Sequence, residues 1–191
     1  MELCGDEDMA ALVRQMQASD TEDLAAVDAA LKRFPQDPRL HFMRGSILAG
    51  RKEPREAHAA LARAVELAPD FAIARYQLGF FELTSGEVDH ALSSWGPLLR
   101  LPEDAYLRKF VEGLTHLVRD EFEPALARMR EGIALNREND PLNGDIRLLM
   151  AECERAMKAG GGPTEGDEGE GSDLSATSLL LGQFPGGPTR H

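Results

Sequence analysis

Small residues recur along this chain with a period of 34 residues. One series consists of Gly45, Gly79 and Gly113, and a second series, twelve residues further on, consists of Ala57, Ala91 and Ala125. Two series that share one period indicate repeated structure rather than chance. A period of this length is typical of paired helices that bury their apolar faces only against a neighbouring pair. The spacing therefore predicts an all-α fold and favours binding over catalysis.

The glycine series sets the frame of the repeat. With each glycine at the eighth position, the units cover residues 38–71, 72–105 and 106–139. The twenty-fourth position of each unit is a large apolar residue, namely Leu61, Trp95 or Met129. The twenty-seventh positions are Ala64, Leu98 and Gly132, of which two are small.

This pattern resembles the tetratricopeptide repeat. In that family, small residues at positions 8, 20 and 27 let two helices approach closely, and a bulky residue at position 24 fills the space between them. Pro69 corresponds to the family's proline at position 32, which ends the second helix. The resemblance implies a right-handed α-solenoid of helix–turn–helix repeats, in which a concave groove holds a segment of a partner.

The resemblance extends beyond the three units. Val27, Ala30 and Pro35 precede Leu61, Ala64 and Pro69 by one period. We therefore expect residues 8–37 to form a degenerate helix pair with a break and a helix cap at 19–21, after an acidic leader at 1–7. Residues 141–158 are predicted to form the capping helix that a solenoid needs. Pro97 is expected to kink or end the second helix of the second unit.

The first helix of each unit departs from the family pattern. Positions 4, 7 and 11, which the family fills with apolar residues, include Arg44, Glu82 and Lys109 here. An apolar stripe lies instead at positions that line the groove in the family. We therefore predict an apolar groove for a partner segment, lined by Phe42, Tyr76, Phe80, Leu83, Phe110, Leu114 and Leu117.

Two alternatives to an open groove remain at this point. In the first alternative, each first helix is turned by one residue, about 100°, so that the stripe belongs to the core. In the other alternative, the groove is filled permanently by the terminal helix or by the tail.

The composition changes after Lys158. We predict a flexible, disordered tail over residues 159–191, in which a linker rich in glycine and acidic residues, 159–173, is followed by an apolar segment, 174–184. A segment this short does not hold a helix alone in water. We predict a docking motif formed by Leu174, Leu179, Leu180, Leu181 and Phe184. Docking on a partner, docking on its own chain as an autoinhibitory plug, and no role at all are left open.

Charge and composition exclude several classes of partner. The formal net charge is −12, with 33 acidic and 21 basic residues. Nucleic acids and anionic membranes are therefore disfavoured, because both need clustered cations. The acidic amino terminus is unlike a secretion signal, no apolar run is long enough to cross a bilayer, and two cysteines give little support for a disulfide. We expect a cytoplasmic protein.

The motifs of enzymes and metal sites are missing from the sequence. The five histidines lack partners at metal-ligand spacing, and there is no phosphate-binding loop or nucleophile elbow. His116 beside Asp120 is the one candidate acid–base pair, and such pairs are commonly surface contacts. We therefore predict no catalytic residue, no metal and no cofactor, and a non-enzymatic module that binds a protein or peptide.

Three other functions compete with this interpretation. A small acidic chain with about three such repeats is similar to the chaperones of type III secretion translocators, whose groove holds an extended client segment. A homodimer would bury the stripe or residues 179–181 against a second copy. An enzyme subunit would need a catalytic partner. Co-chaperones that clamp acidic carboxy termini are disfavoured, because Arg39 is the sole cation at the corresponding groove positions.

Overall fold

The structure is a computed structural model that describes residues 3–18 and 23–160. The helix break and cap expected at 19–21 lie outside the described residues. The apolar segment 174–184 and almost all of the linker before it lie outside them as well. Every regular element within the described ranges is helical, so the predicted all-α helical repeat class is confirmed.

The described ranges contain nine α-helices and one short 3₁₀ helix. The α-helices are α1 (Asp6–Ala18), α2 (Asp23–Arg33), α3 (Pro38–Gly50), α4 (Pro54–Leu67), α5 (Ala72–Thr84), α6 (Val88–Trp95), α7 (Tyr106–Val118), α8 (Phe122–Leu135) and α9 (Asp140–Gly160). Helices α3, α5 and α7 begin at the first residues of the three predicted units. The chain divides into two compact units, unit 1 (Met1–Phe81) and unit 2 (Glu82–His191), and each is described by itself.

Small residues set the distance between α3 and α4 in unit 1. A methyl group built on Gly45 would lie 2.6 Å from Leu61 Cγ, so only a hydrogen fits there. Leu61 is fully buried, and burial of a leucine side chain contributes about 1.5–3 kcal/mol. Ala57, from the alanine series, is fully buried as well. The first unit therefore packs its position 8 against its position 24, as the resemblance implies.

The same packing recurs in unit 2 between α7 and α8. A methyl group on Gly113 would lie 2.9 Å from Met129 Cγ and 3.1 Å from the backbone oxygen of Ala125. One turn away, a methyl group on Gly132 would lie 2.4 Å from the ring of Phe110. Residue numbers fall along α7 as they rise along α8, so the two helices are antiparallel.

The turn between the two helices of each unit carries a second mark of the repeat. Lys52, Gly86 and Asp120 are spaced by 34 residues, and all three have a positive φ, of 60°, 84° and 60°. In this left-handed region an L side chain is disfavoured and glycine is not. The backbone therefore repeats with the period of the sequence even where the side chains differ.

Pro97 ends the second helix of the second unit early, as predicted. Helix α6 has 8 residues, whereas α4 and α8 have 14 each. After Trp95 the chain continues through Gly96 into the 3₁₀ turn Leu98–Arg100. The missing N–H and the ring of proline explain the stop.

Hydrogen bonds explain the polar residues at position 4 of two units. His41 Nε2 lies 2.9 Å from the carbonyl oxygen of Pro35. One period later, Arg75 Nη2 donates to the carbonyl oxygen of Pro69 at 2.8 Å. Each polar side chain thus holds the connection that precedes its own helix, a role that an apolar residue cannot perform.

The third unit uses its position 4 differently. Lys109 is buried, and its Nζ lies 3.5 Å from carboxylate oxygens of both Glu112 and Glu131. The preceding connection is held instead by Arg108, which donates to the carbonyl oxygen of Leu101 at 2.9 Å. Lys109 therefore joins α7 to α8 through an ion-pair network.

A buried carboxylate holds the amino-terminal residues of unit 1. Asp37 Oδ2 accepts hydrogen bonds from the backbone N–H of Cys4 at 2.9 Å and from Arg39 Nη2 at 2.7 Å. Asp37 also caps α3 by accepting from the backbone N–H of Arg39 at 3.0 Å. Burial alone would raise the pKa of Asp37, but the hydrogen bonds from Arg39 and Cys4 outweigh it and hold this pKa below its ordinary value.

A pair of asparagines fixes the start of α9 against the end of α8. Asn136 Nδ2 donates to Asn143 Oδ1 at 2.9 Å, and Asn143 Nδ2 donates to the Asn136 carbonyl oxygen at 3.0 Å. Both bonds are buried, where amide hydrogen bonds orient helices strongly. This clamp positions α9 at the place where the sequence predicts the capping helix.

Candidate functional site

The seven predicted groove residues are divided between the two units. Unit 1 contains Phe42, Tyr76 and Phe80, and unit 2 contains Leu83, Phe110, Leu114 and Leu117. All four members in unit 2 are 0% exposed, so no ligand reaches them in this structure. The groove as a whole stays a prediction, and its partly exposed members are Phe42 and Phe80 of unit 1.

Phe110 lies in the interior of the α7–α8 pair. Its ring packs beside Gly132 inside the α7–α8 pair and stacks edge-on against Tyr106, with ring centroids 5.8 Å apart. Phe110 is therefore core in the third unit. This agrees with the alternative in which the first helix is turned by one residue, so that the stripe faces its own partner helix.

Unit 1 leaves a row of partly exposed side chains where α3 meets α5. We call this row the α3–α5 seam, and its members are Phe42, Ser46, Phe71, Gln77 and Phe80. Phe42 and Phe71 form an aromatic pair with ring centroids 5.3 Å apart and an interplanar angle of 56°. Ser46 Oγ lies 2.9 Å from Gln77 Oε1 and joins the two helices in the middle of the seam.

The contacts along the seam give its direction and length. Phe42 contacts Phe71, and one turn further along α3 Ser46 bonds to Gln77, so α3 and α5 run the same way. Phe71 and Phe80 are nine residues apart, which corresponds to about 13 Å at 1.5 Å per helical residue. The seam therefore has an aromatic pair at one end and Phe80 at the other.

Neighbouring residues on α5 hold the two ends of the seam. Tyr76 is 4% exposed, and its ring stacks on that of Phe80 with centroids 6.3 Å apart and an interplanar angle of 15°. At the other end, the backbone N–H of Arg75 donates to the Phe71 carbonyl oxygen at 3.1 Å, while the Arg75 guanidinium binds Pro69. Phe71 is thus positioned by the same polar side chain that fixes its connection.

The seam also offers hydrogen-bond donors. The hydroxyl of Ser46 donates to Gln77 Oε1 or to the backbone oxygen of Phe42, which lies at 3.0 Å. The side-chain NH₂ group of Gln77 makes no hydrogen bond within residues 3–18 and 23–160. A partly exposed amide of this kind can donate to a backbone carbonyl of a bound segment.

Phe71 is a candidate binding residue that the sequence pattern does not reveal. It lies in the connection between α4 and α5, outside any helix, so it belongs to no helical period. Only its distance from Phe42 marks it as part of the seam.

Side chains suited to chemistry are scattered rather than convergent. His116 Nδ1 lies 2.5 Å from Glu121 Oε2, in an exposed contact across the connection between α7 and α8. The described residues contain no group of three or more His, Cys, Asp or Glu side chains that would hold a metal ion. Cys4 and Cys153 are both buried free thiols, and burial raises the pKa of Cys153 to about 11.

Comparison with known proteins agrees with the packing. Residues 48–97 match the family described as tetratricopeptide repeat, and the match covers α4, α5 and α6. The comparison with curated proteins gives no match for this chain. Among the helices of the described ranges, none has the length and apolar character needed to cross a membrane. The family match assigns tetratricopeptide repeat sequence to residues 48–97, and the repeated glycine contacts and the repeated turn agree with it.

Proposed function

We propose that this chain is a non-enzymatic module that binds a segment of another protein along the α3–α5 seam. Tetratricopeptide repeats generally mediate protein–protein interaction. The observation that supports this surface is the row of partly exposed aromatic side chains, Phe42, Phe71 and Phe80. Aromatic residues are enriched in the cores of protein interfaces, because they bury a large area with few rotatable bonds.

The dimensions of the seam limit the kind of segment that it takes. A length of about 13 Å corresponds to about four residues of an extended chain, or to about two turns of helix. We infer a segment with one apolar side chain at the Phe42–Phe71 pair and a second beside Phe80. Gln77, between them, donates to a backbone carbonyl and so favours a segment whose backbone is accessible.

Affinity capture tests this function with the full chain as bait. The test variant is Phe42→Ser/Phe80→Ser, and the matched control is Leu148→Ser, which removes an exposed apolar side chain from α9 in unit 2. We expect proteins captured by both the unmodified chain and the control to be lost from the test variant. An unchanged set of captured proteins, measured by quantitative mass spectrometry, contradicts the proposal. Thermal unfolding of each variant shows whether the fold is kept.

The competing functions give different results in the same experiment. Capture of one dominant client that is unstable without this chain favours a chaperone. A mass of two chains by light scattering, lost in the test variant, favours a homodimer. We also propose a cytoplasmic location, because both thiols are free, and cell fractionation tests it.

A further inference from the structure

A shallow groove lies between α8 and α9 of unit 2. Its volume is about 510 Å³, and its lining residues are Glu123, Leu126, Arg130, Glu154, Met157 and Lys158. The lining residues of α8 are three and four positions apart, and those of α9 lie three and four positions after Glu154, so they form one face of α8 and one face of α9. The groove is distinct from the α3–α5 seam, which belongs to unit 1.

The groove has an apolar floor and charged edges. Leu126 is 4% exposed, and Met157 beside it is partly exposed. Methionine is unbranched and adapts its shape to an incoming side chain. At one edge Arg130 Nη2 donates to Glu154 Oε1 at 2.9 Å. Lys158 forms no ion pair with any residue that the structure describes.

The sequence that follows α9 has a composition that suits this groove. Helix α9 ends at Gly160, two residues after Lys158, and the sequence continues with residues 161–191. The linker residues 161–173 include five acidic residues and no basic one. An acidic linker that begins beside Lys158 has a charge complementary to that of the lysine. The apolar residues 179–181 come next, and they match the apolar floor.

The linker is long enough for the apolar residues to return to the groove. From Gly160 to Leu179 there are 19 residues, for which a glycine-rich chain has a root-mean-square span of about 24 Å. The lining residues of α8, from Glu123 to Arg130, extend over only about 10 Å. A tether of this length gives an effective concentration near the millimolar range, so a weak contact suffices.

We propose that residues 174–184 occupy the α8–α9 groove of their own chain, with Leu180 or Leu181 against Leu126 and Met157 and the acidic linker beside Lys158. The groove is then closed to other proteins unless they displace this segment. Binding at the α8–α9 groove and binding at the α3–α5 seam are therefore separate properties of the chain.

Disulfide trapping in the full chain tests this proposal. The test pair is Glu123→Cys/Leu181→Cys, and the control pair is Leu148→Cys/Leu181→Cys, because Leu148 is 68% exposed on α9 and does not line the groove. The natural cysteines, Cys4 and Cys153, are buried, and burial raises the pKa of each thiol, which slows their reaction. We expect the test pair to form an intramolecular bond at least about tenfold faster than the control pair.

Three outcomes overturn the proposal. Equal rates for the two pairs would mean that the segment does not prefer the groove. A bond between two chains, identified by its mass, would mean that a second copy provides the occupant. A third variant adds Met157→Glu to the test pair, which places a charge on the apolar floor, and we expect its rate to fall to that of the control. An unchanged rate would overturn the proposal, provided that circular dichroism shows all variants folded.

Discussion

Substitution of Gly113 by alanine tests whether the repeated glycines exist to bring helices together. Alanine favours the interior of a helix over glycine by about 1 kcal/mol. The added methyl group would lie 2.9 Å from Met129 Cγ and 3.1 Å from the backbone oxygen of Ala125. Because the second of these atoms belongs to the backbone of α8, the clash cannot be relieved by a side-chain rotation.

The expected result follows from the difference between these two effects. Overpacking of a core costs about 1–3 kcal/mol, and the gain in helix propensity offsets about 1 kcal/mol of it, so we expect Gly113→Ala to lower the free energy of unfolding by up to about 2 kcal/mol. Urea unfolding followed by circular dichroism measures this difference. The midpoint of thermal unfolding is expected to fall by a few degrees.

Gly144 provides the matched control. It lies in the interior of α9, and a methyl group built on it meets nothing within 4 Å. We therefore expect Gly144→Ala to raise the free energy of unfolding by up to about 1 kcal/mol. If Gly113→Ala stabilises the protein as Gly144→Ala does, helix approach does not require glycine at position 8, and the packing argument is refuted.

Three further tests by urea unfolding address separate parts of the structure. Lys52→Gly removes an L side chain from a position with positive φ and is expected to stabilise the protein by about 0.5–1 kcal/mol, whereas Gly86→Ala is expected to destabilise it by about 1–2 kcal/mol. Changes in the free energy of unfolding that have the same sign for both substitutions would contradict the repeated turn. The folded pKa of Asp37 is lowered, so its contribution to stability is present above the pKa of the unfolded chain, near 3.9, and is lost as pH falls through the folded pKa. Asp37→Asn should therefore destabilise the protein at pH 7 and flatten the loss of stability in acid. An unchanged dependence of the free energy of unfolding on acidic pH would contradict this. Lys109→Met keeps the buried aliphatic part of the side chain and is expected to change the free energy of unfolding by less than about 1 kcal/mol, whereas Lys109→Ala should lower it by about 2 kcal/mol or more. Equal losses would mean that the charge of Lys109, and not its packing, stabilises the fold.

The sequence predicted the contacts that depend on side-chain size and on proline. Gly45 and Gly113 each lie against the bulky residue sixteen positions later, and the second helix of the second unit ends early because of Pro97. Both results follow from local steric rules, which need only residue identity and spacing. The 34-residue period showed which residues occupy equivalent positions in the repeated units.

The rotation of the first helices could not be predicted in the same way. A stripe at helical spacing is equally consistent with a core face and with a binding face, because periodicity does not say what the stripe faces. The sequence pattern therefore did not reveal that Phe110 is buried within the α7–α8 pair. Polar residues at position 4 depart from the family pattern, and the hydrogen bonds of His41 to Pro35 and of Arg75 to Pro69 explain two of them.

Hydroxyl-radical footprinting of the native full chain tests most directly whether the apolar stripe divides into a free surface and a core. Mass spectrometry gives the rate of oxidation of each phenylalanine. We predict that Phe42, Phe71 and Phe80 react several-fold faster than Phe110, and that a bound partner protects the first three. Oxidation of Phe110 as fast as that of Phe42, or protection of Phe42 and Phe80 in the isolated chain, would contradict the account.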